Sequence, residues 1–180
     1  LEYLVRSGKA LYVGISNYGP EDTKRAARIL RELGTPCLIH QARYSMLDRR
    51  VEDGLSDVLG DEGIGGIWFS PLAQGLLSDR YLSGSIPAGS RASKSVFLKP
   101  ERLTPAMIAK LNRLNDVAKR RGETLARLAI KWLLRNPATT SVLLGASSVA
   151  QLDENLLALE GSPLVEGELA IMDDILAMPE

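Results

Sequence analysis

The sequence has one cysteine, one histidine and no excess of charge of either sign, and each shortage removes a class of function. Cys37 can form no internal disulfide, and its place in an apolar run suits a packed strand in a reducing compartment better than a reactive thiol. His40 has no second base, nucleophile or metal ligand near it. Neither a triad nor a Cys/His metal cluster is therefore expected, and the imidazole reads as a packed strand residue. Lysine plus arginine number 22, as do aspartate plus glutamate. Zero net charge is not the footprint of a duplex-binding or membrane-surface protein, so the expected partners are small molecules, not nucleic acid or membrane. No apolar run approaches the roughly 20 residues that cross a bilayer, no basic-then-apolar stretch opens the chain, and the expected location is cytoplasmic.

What is present is ordinary for a globular fold. With 45% apolar and 24% charged residues, 180 residues suffice for a sizeable core. The opening LEYLVRSGK reads as the last turns of a helix entered from upstream, so a longer parent chain is expected. Short runs rich in Val, Ile and Leu then alternate with amphipathic stretches. ALYVGIS from Ala10, CLIHQA from Cys37, GGIWFS from Gly65 and SVLLGAS from Ser141 have the character of strands buried on both faces of a parallel sheet.

The clearest helix is PEDTKRAARILRELG, opened by Pro20 and acidic residues, closed by Gly34, and expected to bury Ile29, Leu30 and Leu33. A weaker one over residues 51–59 is interrupted by Gly54. A long irregular stretch follows the third run, about residues 74–103, and loops of that length are commonly functional lids. Helices are expected over residues 104–121 and 124–135 with Gly122 between them. Ser148 is placed to cap a further helix that Gly161 stops, and SPLVEGELAIMDDILAMPE reads as a last one. Trp132, with Leu128 and Leu133, reads as core. Arg49 and Arg50 read as surface residues, and Lys119-Arg120-Arg121 as a solvated helix end.

Repeated βα units imply an α/β fold with helices on a parallel sheet. The spacing of the first three runs fits a barrel as well as an open sheet. A complete eight-strand barrel takes about 250 residues, so four strands would make half of one. In both architectures ligands sit at the C-terminal strand ends. There the chain places Ser16 and Asn17, able to hydrogen-bond a carboxamide or simply to start a turn, and Gln41, a second amide. At the third end Phe69 offers a flat face, Ser70 offers phosphate hydrogen bonds and Pro71 stiffens the turn. The fourth run ends GASSVAQLDEN, a Gly-small-Ser segment at a helix start that favours an anion.

In order, GKALYVGISNY, LIHQARYSMLDR, FSPLAQGLLSDRY, IPAGSRA and SVLLGASSVAQLDENLLAL resemble the second half of the aldo-keto reductase family over nearly the whole chain. The branch they most resemble includes L-glyceraldehyde 3-phosphate reductases and voltage-gated potassium channel beta subunits. The resemblance implies a (β/α)8 TIM barrel binding NADP(H), of which residues 1–180, a single partial domain, supply about strands five to eight. It implies that Ser16, Asn17 and Gln41 hold the nicotinamide carboxamide and that Phe69 stacks on the ring. Ser70, Pro71, Leu72, Ala73 and Gln74 would line the pyrophosphate, with Arg80 and Arg91 closing over it. Gly145, Ser147, Gln151, Glu154 and Asn155 would hold the adenosine and its 2′-phosphate.

Two departures from the pattern are Phe69, where relatives carry Trp or Tyr, and Ser148, where some carry Arg. The family's catalytic Asp, Tyr, Lys and His lie on the first four strands, and Tyr44 and His40 do not stand in for them. The resemblance thus implies a parent reductase of small aldehydes or ketones, with glyceraldehyde 3-phosphate or methylglyoxal suggested by the branch. Residues 1–180 alone are expected to be inactive, with the upstream half of the barrel as partner. An alternative is a redox-sensing accessory subunit that keeps the cofactor. A third reading is structural: two unpaired sheet edges and exposed apolar core would make the half-barrel aggregate, pair with another half, or fail to fold alone. A homo-oligomer is left open.

Overall fold

Four strands, β1 (Val13–Ser16), β2 (Cys37–Arg43), β3 (Gly65–Phe69) and β4 (Thr139–Val142), lie side by side in chain order, all parallel. They belong to a computed structural model that describes residues 1–85 and 98–179. The described residues form two units. Unit 1 comprises Leu1–Tyr44, Asp48–Phe69 and Leu134–Leu143; unit 2 takes Ser45–Leu47, Ser70–Leu133 and Leu144–Glu180.

In unit 1 the first three strands are joined through helices, as parallel neighbours require. Helix α1 (Glu2–Arg6) precedes β1, α2 (Pro20–Glu32) joins β1 to β2, and α3 (Leu55–Glu62) joins β2 to β3. Pro20 at the first turn, Glu21 and Asp22 behind it and Gly34 at φ +71° bound α2 as its sequence predicts. Its buried stripe is different. Thr23, Ala27 and Leu30 are buried, whereas Ile29 and Leu33 are exposed, because the 100° step per residue carries them off the i, i+4, i+7 line that faces inward. Gly54, at φ +88°, ends a 3-10 turn (Arg50–Glu52) and caps α3, so it divides the predicted 51–59 helix outright.

The sheet does not bury both faces within the described residues. Val13 and Ile15 on β1, His40 and Ala42 on β2 and Trp68 on β3 are buried, while Gly14 and Ser16 are exposed and Gln41, Ile67 and Phe69 are only half-buried. Alternation along a strand sends successive side chains to opposite faces, and the buried set is the helix-covered one. Two predicted strand limits also move. Ala10, Leu11 and Tyr12 precede β1, with Leu11 and Tyr12 exposed, and β4 starts at Thr139 and ends at Val142, leaving Leu143 to Ser147 beyond it.

A tight junction sits at the base of β3. A side chain on Gly66 would come within 2.3 Å of the Trp68 ring and 2.5 Å of the Ala138 carbonyl oxygen. Only glycine lets the indole fold back over its own strand while Gly66 N–H donates to Ala138 O. Trp68, fully buried, donates from Nε1 to Thr139 Oγ1 at 2.7 Å and meets Tyr44 edge-on at 5.4 Å between ring centroids. The Tyr44 hydroxyl donates to Glu52, whose carboxylate also takes Arg49 and Arg135. Burial pushes the Tyr44 phenol up. Arg49 is therefore half-buried and tied, while Arg50, paired with Asp48, is a surface residue as expected.

Unit 2 carries α4 (Pro105–Arg120), α5 (Leu125–Leu134, whose last residue belongs to unit 1), α6 (Val149–Leu156) and α7 (Glu166–Leu176). Thr104 Oγ1 accepts from Met107 N and caps α4, and Gly122 at φ +69° separates α4 from α5. Leu111, Leu114, Leu125, Leu128, Trp132 and Leu133 are fully buried, at about 1.5–3 kcal/mol for each leucine taken from water. The last helix starts four residues later than SPLV suggests, after Val165, whose N–H donates to the Glu168 carboxylate at 3.0 Å.

The predicted solvated end of α4 holds for Lys119 and Arg120 but not for Arg121. Its guanidinium reaches both Glu168 oxygens at 2.6 Å, Glu123 at 3.2 Å and Ser162 O at 2.6 Å, and Lys131 Nζ joins through Glu123 at 2.6 Å. Arg121 is drawn inward because the partly buried Glu168 carboxylate would otherwise have no counter-charge and Glu123 would have only Lys131. No described helix is long and apolar enough to cross a membrane.

Candidate functional site

In unit 1 the residues expected to meet a ligand lie on the less covered face of the sheet at its C-terminal edge. Ser16 pairs with Gln41 across β1 and β2, and Arg43 pairs with Phe69 across β2 and β3. Paired residues share a face, as do Gln41 and Arg43 two positions apart, so all four project the same way. Chain register alone thus assembles a hydroxyl, an amide, a guanidinium and a ring. Asn17, one residue past β1, donates its backbone N–H to Gln41 O at 3.0 Å and its side-chain amide to Ser16 Oγ at 3.1 Å. The Arg43 guanidinium sits 5.8 Å over the Phe69 ring, a cation–π arrangement. Arg43 was not singled out from the sequence. Its signal was there, as the residue two past Gln41 on the same strand face.

Neither residue set aside as structural behaves otherwise. His40 is fully buried, its Nε2 lies 3.2 Å from Tyr18 O, and burial pushes its pKa down, favouring the neutral ring. Burial likewise pushes the Cys37 thiol up, which keeps it un-ionised and inert. Tyr44 is committed to the Glu52, Arg135 and Asn136 cluster.

In unit 2 the segment from Ser70 onward is wound tightly. Ser70 O accepts from Ala73 N at 2.9 Å, Leu72 O from Gly75 N at 2.8 Å, and the Gln74 amide donates to Ser70 Oγ at 3.2 Å. Ser70, Ala73 and Gln74 have φ of +58°, +47° and +64°, conformations costly for residues with a Cβ. Pro71 is buried, Leu72 half-buried, and Arg80 exposed on a 3-10 turn (Asp79–Tyr81). The following loop is partly core: Leu76, Leu77, Tyr81 and Leu98 are buried, and Asn112 donates to Leu82 O at 2.9 Å. Arg91 lies outside the described residues.

Also in unit 2, Gly145 and Ser147 are exposed ahead of α6. Ser148 Oγ caps the helix by accepting from Gln151 N at 3.2 Å, and Gln151 returns the exchange by accepting from Ser147 N and Oγ at 2.9 and 3.0 Å. This S-x-x-Q box holds the segment before α6 in a fixed path. Glu154 accepts from Arg127 at 2.7 Å and Thr124 at 3.1 Å, and the Arg127 guanidinium holds its carboxyl below the usual range. Asn155 is 3% exposed, and its amide nitrogen has no hydrogen-bond partner among the described residues.

The residues expected from sequence thus fall into three groups, each gathered locally: Ser16, Asn17, Gln41 and Phe69 in unit 1, and Ser70 to Gln74 and Gly145 to Asn155 in unit 2. Among the described residues the only non-glycine residues at positive φ are Asn17, Ser70, Ala73 and Gln74. All four are in these groups. Strained backbone of this kind collects where a ligand must be met.

The profile of the Aldo/keto reductase family matches residues 1–177. The chain is 47% identical over 182 residues to "L-glyceraldehyde 3-phosphate reductase" of Escherichia coli (strain K12), covering 98% of this chain and 52% of that protein. It is 46% identical to the protein of the same name from Escherichia coli O157:H7, with the same coverage. The chain spans about half the length of the curated relatives it matches, and the four parallel strands among its described residues are half the number of the family's eight-stranded barrel.

Proposed function

The chain belongs to the aldo/keto reductase family, and from that premise we propose that it is the cofactor-holding part of a nicotinamide-dinucleotide-dependent reductase of small aldehydes or ketones. The family pattern makes the dinucleotide NADP(H), and the relatives' name suggests glyceraldehyde 3-phosphate, or a similar small carbonyl such as methylglyoxal, as substrate. The observation that carries the reading is the coincidence of the non-glycine left-handed residues with the dinucleotide positions. Such strain persists only where surrounding structure enforces it.

The residues present fit the nicotinamide and pyrophosphate portions. A carboxamide needs both a donor and an acceptor, and the Asn17 and Gln41 side chains each offer both, with the Ser16 hydroxyl beside them. Phe69 gives the ring an apolar face to lie against; with no hydroxyl or indole N–H it orients by area alone. By the family pattern the sharp Ser70–Gly75 turn would offer short polar side chains and main-chain groups to the phosphate oxygens, with Arg80 and Arg91 as the cations that accompany them. When bound, the dinucleotide supplies the hydride for a carbonyl carbon. The chain's part is to bind and orient it. Proton donation to the carbonyl oxygen would fall to the family's Tyr, tuned by its Lys and His, which the family pattern puts on the first four strands and so outside residues 1–180.

The test is titration of the full gene product with NADPH and NADH, followed by an assay with glyceraldehyde 3-phosphate and methylglyoxal. Saturable binding that Phe69→Ala weakens about tenfold, the scale of a lost aromatic contact, and aldehyde-dependent oxidation of the reduced dinucleotide are expected. Residues 1–180 alone should show no turnover. Tight binding without turnover by the full gene product would overturn the enzyme and leave a cofactor-binding subunit. Absence of binding would overturn the reading altogether.

A further inference from the structure

Across β1, β2, β3 and β4 only Arg43 is a lysine, arginine, aspartate or glutamate, and His40 is buried and favoured neutral. Arg43 closes β2 at the C-terminal edge. It is exposed and shares the less covered face with Ser16, Gln41 and Phe69. The arginines near it in unit 1 are committed: Arg49 and Arg135 to Glu52, Arg50 to Asp48. Arg43 has no hydrogen bond and no carboxylate partner among the described residues, and residues 86–97 include no aspartate or glutamate that could supply one. Asp48 does feel its field, but two Arg50 nitrogens fix that carboxylate at 2.8 Å. The Arg50 bonds, with a lesser contribution from Arg43, hold the Asp48 carboxyl below its usual range.

The Arg43 guanidinium lies instead 5.8 Å over the Phe69 ring. A cation–π contact at an exposed site is weak, and it leaves the five N–H donors of the fork unused. A ring has two faces, so a guanidinium on one leaves the other for the nicotinamide. A free fork of this kind matches the oxygens of a phosphate or carboxylate in pairs. The dinucleotide's own phosphates are assigned to the Ser70–Gly75 turn, whereas Arg43 shares its strand face with Ser16 and Gln41 of the carboxamide set and so stands at the nicotinamide end. What must come to that end is the carbonyl compound. In a molecule of three or four carbons an anionic group is only a few bonds from the carbonyl carbon, within the span of an arginine side chain.

We propose that Arg43 binds an anionic group, a phosphate or carboxylate, on the carbonyl substrate, and so makes the protein select anionic small aldehydes or ketones over neutral ones. Arg43 is then a specificity-determining residue, and the favoured substrate is a phosphorylated triose in preference to methylglyoxal. The proposal rests on the reading of the unit 1 strand ends as the nicotinamide end of a reductase site.

The test uses the full gene product, NADPH and two aldehydes that differ only in a phosphate, glyceraldehyde 3-phosphate and glyceraldehyde. The parent is expected to have the larger kcat/KM for the phosphorylated one. Arg43→Gln should lower the ratio of the two kcat/KM values about thirtyfold, the scale of a lost hydrogen bond between charged groups, mainly through the KM of the phosphorylated aldehyde. Arg43→Lys keeps the charge without the fork and should recover part of the ratio. Glycerol 3-phosphate, the alcohol that reduction of the phosphorylated aldehyde gives, allows the same comparison without turnover. Titrated calorimetrically into the NADPH-saturated protein, it should bind the parent and bind Arg43→Gln at least about tenfold more weakly.

An unchanged substrate ratio in Arg43→Gln would overturn the proposal and leave the dinucleotide site standing. Weaker NADPH binding in that variant with the ratio unchanged would overturn it too, by giving Arg43 to the cofactor's phosphates. No NADPH binding by the parent would overturn the dinucleotide reading itself. Should the parent bind NADPH but reduce neither aldehyde, the enzyme reading fails and the glycerol 3-phosphate titration alone decides the role of Arg43. If Arg43→Gln does not fold, Arg43→Met, which keeps an apolar stem beside Phe69, takes its place, and the same fall in ratio is required.

Discussion

The two candidate ligand regions are built by different means. In unit 1 the strand-end residues are placed by main-chain register: Ser16 faces Gln41 and Arg43 faces Phe69 because the strands pair there, whatever the surface charges do. In unit 2 the α6 region is placed by side chains, through the Ser148–Gln151 box and the Glu154 tie to Arg127 and Thr124. The first arrangement fails only if the sheet fails. The second can be retuned by a single substitution, so cofactor choice is expected to be set there and ring orientation to be set in the sheet.

The largest effect should come from undoing the sheet's foundation. Trp68→Ala removes a fully buried indole and its bond to Thr139, and is expected to cost about 3–5 kcal/mol in urea unfolding and to abolish dinucleotide binding. A smaller loss, with binding at the strand ends spared, would mean that register does not depend on this junction. Next is Arg121→Ala, which leaves Glu123 and Glu168 partly buried without their guanidinium and should cost about 3 kcal/mol.

Much of this contrast was visible in the sequence. Pro20 and Gly34 bounded α2, Thr104 and Gly122 bounded α4, and the strand ends were legible as polar or aromatic residues closing apolar runs, because these signals are local. The errors came from partners distant in the chain. Ile29 and Leu33 looked core-facing because their spacing is helical, yet which line of a helix faces inward is set by what it packs on. Arg121 looked solvated because Glu168 lies 47 residues away. Arg43 was missed because cross-strand pairing with Phe69 is invisible until register is known. The short β4 was displaced because the apolar run continues into Leu144, past the Leu143 N–H bond to Trp68 O that ends the pairing with β3.

The Arg121 cluster also predicts an acid response. Arg121 depresses the Glu168 carboxyl, and a lowered folded pKa gives stability that is complete above the unfolded value near 4.3. That stability is lost as pH falls through the folded value. Thermal melts should therefore drop more steeply below about pH 4 in the parent than in Glu168→Gln; parallel curves would remove the ion pair from the account. Ser148→Ala should cost about 1 kcal/mol by loss of the α6 cap. The smallest change is expected from Gln74→Gly. It relieves a left-handed residue and should leave stability unchanged or up to about 1 kcal/mol higher, while dinucleotide affinity falls. Unchanged affinity would separate the strained turn from ligand binding.

The measurement that bears most directly on the whole account is amide hydrogen exchange of the full gene product with and without saturating NADH or NADPH. Slower exchange is predicted in three stretches, residues 16–17 with 41–43, residues 69–75, and residues 145–155, with α4 unchanged. Protection confined to other segments, or none in these three, would contradict it.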